Sequence, residues 1–282
     1  METAIVLGTF DGLHAGHRAV IGAAEGYYTV AITFALPPKA FLGGSSELLM
    51  LPEDKEQGLR KLGVSEIMTL DFKAVSNLSE EEFFGFIKKK YSPALIACGF
   101  NYRFGKGAKG DAQTLMALCN ENKIAFRCIQ SVGGDDPVSS SALRAMIANG
   151  EVDKANSQIF GGFGFTAPVL HGDSRGKIFG FPTANQEFPE KLVKPKFGVY
   201  KSKIIIDGIE YESITNLGVR PTYMTDFIGA ETYIAGFDGE IYGKPATLKL
   251  LEFVRCEEKF SSCEALESAV KADIKSVLGI EL

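Results

Sequence analysis

Along the first 155 residues, continuous apolar runs alternate with segments whose apolar residues recur at helical spacing. The runs AIVLGTF (4–10), TVAITF (29–34), EIMTLDF (66–72), ALIACGF (94–100) and AFRCIQSV (125–132) do not alternate with polar residues, the pattern of strands buried on both faces. Between them HRAVIGAAEG (17–26), PEDKEQGLRKLG (52–63), SEEEFFGFIKKK (79–90) and DAQTLMALCNEN (111–122) predict amphipathic helices, and SALRAMIANG (141–150) predicts a fifth. Strand–helix alternation of this kind predicts an α/β domain with a doubly wound parallel sheet, whose ligands bind in the loops after the strands.

Near residue 160 the periodicity changes. GVYKSKIII (198–206), IEYESITNLG (209–218), AETYIAGF (230–237) and ATLKLLEFV (246–254) are β-branched and aromatic, and they predict an antiparallel β-barrel or sandwich. Asp207-Gly208 and Asp238-Gly239 both read as hairpin turns. The chain closes with a terminal helix in which Leu266, Val270, Ile274 and Val277 form one apolar stripe, and Ser261 with Glu264 predicts its capping box. ANGEVDKANSQIFGG (148–162) reads as a linker holding a short helix, so two domains are expected, 1–155 and 160–282.

Composition narrows the function classes. Of the 282 residues, 45% are hydrophobic and 23% charged, which is enough to build ordinary cores. The net charge of −5 is spread evenly over the two halves, so neither offers a basic surface for nucleic acid. Small phosphorylated ligands need only a few placed cations and stay open. The five cysteines form no CxxC pair, which argues against both a disulfide framework and a zinc ribbon. With no basic segment before the first apolar run and no apolar window of about 18 residues, the expectation is a cytoplasmic protein with no membrane partner.

Two of the three histidines lie in GTFDGLHAGH (8–17), where the first strand turns into the first helix. His14 and His17, at i and i+3, fall on one side of the first helical turn, where free backbone N–H groups already favour an anion. Gly12 and Gly16 leave room for close approach of a ligand. On the residues alone, a helix-capping role, a core role or metal ligation together with Asp11 stay open. Three further stretches carry chemistry. VSSSALR (138–144) sets Ser139, Ser140 and Ser141 before a helix with Arg144 one turn on, and CGFNYRFGKGAKGD (98–111) follows a strand with Asn101, Arg103, Phe104 and Lys106. HGDSRGKIFGFPTAN (171–185) surrounds Arg175 and Lys177 with Gly172, Gly176 and Gly180, and then sets Thr183 and Asn185 on one side of an extended segment.

GTFDGLHAGH resembles the HxGH nucleotidyltransferase superfamily, and VSSSALR and CGFNYRFGKGAKGD resemble the signatures of its FMN adenylyltransferases. GKIFGFPTAN is similar to the riboflavin kinase signature. That likeness continues through KFGVY (196–200), TNLGVRPTY (215–223), AETYIAGFDGEIYG (230–243) and FVRCEEKF (253–260). The order of the halves resembles the bacterial bifunctional riboflavin kinase/FMN adenylyltransferase (FAD synthetase) family over residues 3 to 278. The resemblance implies an N-terminal nucleotidyltransferase domain and a C-terminal β-barrel kinase domain. It implies riboflavin, FMN and ATP as small-molecule substrates, Mg²⁺ as cofactor and FAD as final product. It leaves a homo-oligomer open.

By the same resemblance, Gly8, Phe10, Gly12, Gly16, His14, His17, Ser139, Ser140, Ser141 and Arg144 bind the phosphates of ATP in adenylyl transfer, with Asn101, Arg103 and Phe104 at the flavin. Gly172, Arg175, Lys177 and Gly180 close over ATP in the kinase half, Thr183 and Asn185 hold Mg·ATP, and Glu231 is the base for the flavin 5′-hydroxyl. Two departures fall in the first half. The family pattern TFxPHP reads TFALPPKAF here, with Pro37 in place of the histidine, and the stretch from His17 to Val30 predicts a first helix about two turns short. A kinase with an impaired or redirected first half, or a flavin-binding protein without turnover, are the alternatives these departures leave.

Overall fold

The computed structural model describes every residue except 45, 133–138, 172–182, 221–226 and 282. It divides into two compact units, 1–142 with 158–160, and 143–157 with 161–282.

The first unit is a five-stranded parallel sheet of order β3-β2-β1-β4-β5, with β1 Thr3–Leu7, β2 Tyr28–Phe34, β3 Glu66–Leu70, β4 Leu95–Gly99 and β5 Ala125–Ile129. The continuous apolar runs are strands because both faces are covered. Ile5, Leu7, Val30, Ile32, Ile96 and Cys98 face Phe83, Phe84 and Ile87 of α4 (Glu80–Tyr91) and Leu115 and Cys119 of α5 (Ala112–Glu121). α1 (Ala15–Gly22) lies against β4 and β5. Helix α4 starts at a full capping box between Ser79 and Glu82, and α5 starts at Asp111, whose carboxylate accepts from the Gln113 and Thr114 amides. Helix α2 (Pro52–Lys61) begins at a proline, α3 (Phe72–Val75) is a single turn, and α1 has eight residues, starting two before the expected 17–26 stretch and ending at Gly22. Strand order reverses between β1 and β4, so the carboxyl ends of these two strands open the crevice where such sheets bind ligands.

Helix α6 (Ser140–Ala148) carries the chain out of the first unit, and α7 (Val152–Asn156) is the short linker helix. The second unit is an antiparallel sheet of order β6-β11-β8-β9-β10-β7, formed by β6 Gly164–Pro168, β7 Thr183–Glu187, β8 Gly198–Ile206, β9 Ile209–Arg220, β10 Phe227–Ile234 and β11 Pro245–Arg255. Its edges meet where the Leu170 amide donates to the Asn185 carbonyl (2.7 Å) and the Gln186 side-chain Nε2 donates to the Ala167 and Ala246 carbonyls. This curls the sheet toward a barrel. Ala184, Ile204, Ile206, Ile234 and Ala246 fill the inside. A chain of fully buried hydroxyls runs Ser213–Ser202–Thr215–Thr232 with O···O distances of 2.8, 2.8 and 2.9 Å. Each hydroxyl in that chain has a partner, so burying it carries no orphan penalty.

Outside the barrel, α8 (Cys263–Leu278) covers Val199 and Ile214 with Val270, Ile274 and Val277, as the apolar stripe predicts. One cap prediction and one turn prediction are corrected. The helix is capped by Ser262, which accepts from the Ala265 amide, one residue after the expected Ser261. Asp207-Gly208 does make the β8–β9 hairpin, with both φ angles positive. Asp238-Gly239 makes none, because β10 and β11 are not neighbours and the segment between them crosses to another edge.

Candidate active sites

At the carboxyl end of β1 the chain turns into α1 through three residues of positive φ: Phe10 (52°), Gly12 (80°) and Leu13 (44°). Left-handed backbone at Phe10 and Leu13 is strained, and both side chains are fully buried, so packing holds the strain. Glycine is required at 12, where an added Cβ would meet Leu49 Cδ1 at 2.9 Å on top of the positive φ. The buried Asp11 carboxylate accepts from the Leu49 amide (2.9 Å). Its carbonyl accepts from the Ser140 hydroxyl (3.3 Å), which brings the serine segment to the turn.

His14 is the N-cap residue of α1, and its ring stacks on His17 with centroids 3.8 Å apart. Phe10 meets His17 edge-on at 5.4 Å. Gly16 lies beneath the pair, with room for no more than 3.3 Å between an added Cβ and the His14 ring. Burial, helped by the Arg18 charge, lowers the His14 pKa to about 4. His17 is lowered well below 6.5 by burial, then by His14 and Lys55. Both imidazoles are therefore neutral at neutral pH. Both Nδ1 atoms are buried without a hydrogen-bond partner among the described residues. A pair of neutral imidazoles at a helix N-terminus suits charge that grows on phosphate oxygens during a reaction. Among the described residues no three His, Cys, Asp or Glu are grouped to hold an ion.

Across the crevice, the loop after β4 is closed by paired bonds between Phe104 and Gly110, both 3.0 Å. Gly105 and Gly110 press on Glu80, with added Cβ atoms 2.9 and 2.8 Å from its Cγ, which pins the loop to the start of α4. Asn101 is exposed beyond β4, and Arg103 reaches Asp111 at 3.3 Å. Phe104 is only 6% exposed and packs on Phe83. Ser139 caps α6 by accepting from the Ala142 amide, Ser141 is exposed, and Arg144 sits one turn along the helix. Gly8 lies against the Phe10 ring. The LPP segment leads into a single 3-10 turn, Pro38–Leu42, in which Phe41 stacks on Phe72 at 5.0 Å.

The second site lies on the outer face of the curled sheet. The Thr183 hydroxyl donates to Glu231 Oε1 (3.2 Å), and Asn185, Glu231 and Asn216 stand in register across β7, β10 and β9. Asn216 donates on to Glu257 Oε1 (3.3 Å) in the loop after β11. That loop is fixed at its start by Arg255, which grips Asp273 of α8 through Nε (3.1 Å) and a terminal nitrogen (2.7 Å). A hydroxyl, an amide carbonyl and a carboxylate side by side are the oxygen donors that a hard divalent cation with nucleotide phosphates accepts. Gly172, Arg175, Lys177 and Gly180 lie outside the described residues, as do Val138 and residues 221–223 of the motifs quoted above. Asn216 and Glu257 were not singled out from the sequence, although both lie in quoted motif segments. Their signal is the strand register, which aligns Asn216 with Glu231 and needs a known pairing.

Residues 1–142 match the FAD synthetase family and residues 162–280 match the riboflavin kinase family. The bifunctional riboflavin kinase/FMN adenylyltransferase of Listeria monocytogenes is 32% identical, over 95% of this chain and 89% of its own. That of Bacillus subtilis is 29% identical over 96% and 90%, and that of Escherichia coli K12 is 26% identical over 95% and 90%. The crystal structure of the macrolide-efflux protein from Streptococcus pneumoniae has the same fold, with a TM-score of 0.88 at 28% identity, over 99% of this chain and 95% of that one. Among the described residues of the present chain no helix is long and apolar enough to cross a membrane.

Proposed function

The chain belongs to the bifunctional riboflavin kinase/FMN adenylyltransferase family, and from that premise we propose which residues carry each of its two reactions. The protein is an ATP-dependent transferase that phosphorylates riboflavin to FMN and adenylylates FMN to FAD, releasing pyrophosphate. ATP and Mg²⁺ serve both steps, with flavins as substrates and products.

For adenylyl transfer, the FMN phosphate attacks the α-phosphorus of ATP. His14 and His17 donate to the triphosphate and stabilise the charge that moves onto the departing pyrophosphate. Ser140, tied to the Asp11 carbonyl, and Arg144 complete the phosphate side, and Asn101 and Arg103 meet the flavin. The stacked, neutral His14–His17 pair beside the β1/β4 crevice is the observation that carries this reading. Phe104 supports the flavin loop from below.

For the kinase step, Glu231 accepts the proton of the flavin 5′-hydroxyl as it attacks the γ-phosphorus. Thr183 and Asn185 would hold the magnesium ion, which when bound neutralises phosphate charge. The Thr183–Glu231 hydrogen bond supports this reading, because it sets base and nucleotide side within one contact. Free thiols, among them the buried Cys98 and Cys119, favour a reducing, cytoplasmic setting.

Chromatography of flavins after incubation with Mg·ATP and either riboflavin or FMN tests the assignment. His17→Ala should stop at FMN from riboflavin, and Glu231→Gln should leave riboflavin unchanged yet convert FMN to FAD. Loss of both activities in either folded variant would contradict the two-site assignment.

A further inference from the structure

We propose that Lys55 is a positioning residue for adenylyl transfer, acting through Thr9 and His17 from beneath the turn that follows β1. The inference rests on the assignment of His14 and His17 made above.

Lys55 occupies a place where a core residue is expected. It lies on the inner face of α2 with Gly58 and Leu59 and is 7% exposed. Its amine donates to the Phe34 carbonyl (2.5 Å) and to the Thr9 carbonyl (3.4 Å), the positions where β2 ends and where the chain leaves β1. The Thr9 carbonyl also accepts from the Thr33 hydroxyl at 2.9 Å. Two neighbouring strand ends are thus gathered onto one ammonium.

The next residues are those of positive φ, and α2 holds them a second time. Leu13 fills the space over Gly58, where an added Cβ would lie 2.4 Å from Leu13 Cδ1. Lys55 fixes the entry to the turn and Gly58 its exit, so α2 sets the backbone that presents His14 and His17.

The electrostatics point the same way. The charged and titratable groups acting on Lys55 and the histidines are Asp11 in the turn and His14, His17 and Arg18 on α1. Burial lowers the Lys55 pKa to about 8 against the pull of Asp11, so the amine is mostly charged at neutral pH. Its charge helps keep His17 neutral. Burying an ammonium against carbonyl dipoles is poorly repaid compared with an apolar side chain of the same length. A role in the reaction accounts for the charge where packing does not.

The test uses the full chain, with FAD formation from FMN followed against pH and FMN formation from riboflavin as the internal control. Lys55→Met keeps the packing and removes the charge and the donors. It should lower kcat for FAD formation about 10-fold or more, change the KM values for ATP and FMN by less than about 3-fold, and leave FMN formation unchanged. The acid limb of its pH profile should move upward, because His17 becomes easier to protonate. Lys55→Arg should restore most of the rate. Thr33→Val, which keeps the charge and removes one bond to Thr9, should lower kcat without moving the limb.

FAD formation within about 2-fold of wild type in Lys55→Met would overturn the proposal. So would a loss with an unmoved limb and no recovery in Lys55→Arg, which marks a purely structural lysine. An unchanged rate in Thr33→Val would overturn the anchoring at Thr9. His17→Ala in parallel separates the two levels: if it leaves FAD formation intact, the histidine assignment fails, and the route through His17 fails with it.

Discussion

His14 and His17 stack with ring centroids 3.8 Å apart and 24° between their planes, at the N-terminus of α1, where the first backbone N–H groups have no intrahelical partner. Two imidazoles this close resist carrying two charges, and burial favours the neutral form of each. Neutral donors beside free amides can gain interaction as charge leaves the α-phosphorus, without repelling each other beforehand. His14→Ala should therefore lower kcat for FAD formation about 100-fold, with a smaller change in the KM for ATP, measured from FMN at saturating flavin.

The same burial makes the fold sensitive to acid. His14 has a folded-state pKa of about 4 against 6.5 unfolded, so the unfolded chain takes up the proton first as pH falls. The associated stability is present in full above pH 6.5 and is lost as pH drops toward 4, by up to about 3 kcal/mol. Urea unfolding of the full chain at pH 7 and pH 4.5 should show this loss, and His14→Gln should reduce it.

Thr183→Val deletes the hydroxyl that bonds Glu231 and would face the metal. The KM for Mg·ATP in FMN formation should rise about 10-fold, in line with a lost hydrogen bond to a charged group. FAD formation from FMN should be unaffected. Titration of both rates with magnesium in one preparation checks the split.

Arg255 and Asp273, with side chains 23% and 14% exposed, form a two-bonded clamp between the end of β11 and α8. It anchors the loop that brings Glu257 to Asn216. A double-mutant cycle with Arg255→Met and Asp273→Asn should give a coupling of about 1–2 kcal/mol by chemical denaturation. The KM for riboflavin should rise in both single variants.

The halves of the fold were legible because their periodicities differ: continuous apolar strands between amphipathic helices, then β-branched strands around Asp207-Gly208. Asp238-Gly239 misled, because a turn dipeptide reports local backbone preference and cannot say whether the flanking strands pair. The cap of α8 was misplaced by one residue because Ser261 and Ser262 are adjacent and offer the same side chain to the same amides. The motif resemblance marked His14, His17, Thr183 and Glu231 and implied the roles proposed for them. Lys55 could not be read that way. Its signal is a lysine in register with Gly58 and Leu59 on a buried helix face, which resembles an ordinary solvated charge until the helix is packed. Phe104 shows the reverse, a motif residue whose ring is spent on the core.

Complementation between two variants reaches the central claim, that each reaction has its own residues. His17→Ala, Glu231→Gln and an equimolar mixture of the two are incubated with riboflavin and Mg·ATP, and the flavins are separated by chromatography. Two separate sites predict FMN alone from the first, unchanged riboflavin from the second, and FAD from the mixture, as FMN made by one variant is adenylylated by the other. A mixture that makes no FAD, from variants that each remain folded, would contradict the account.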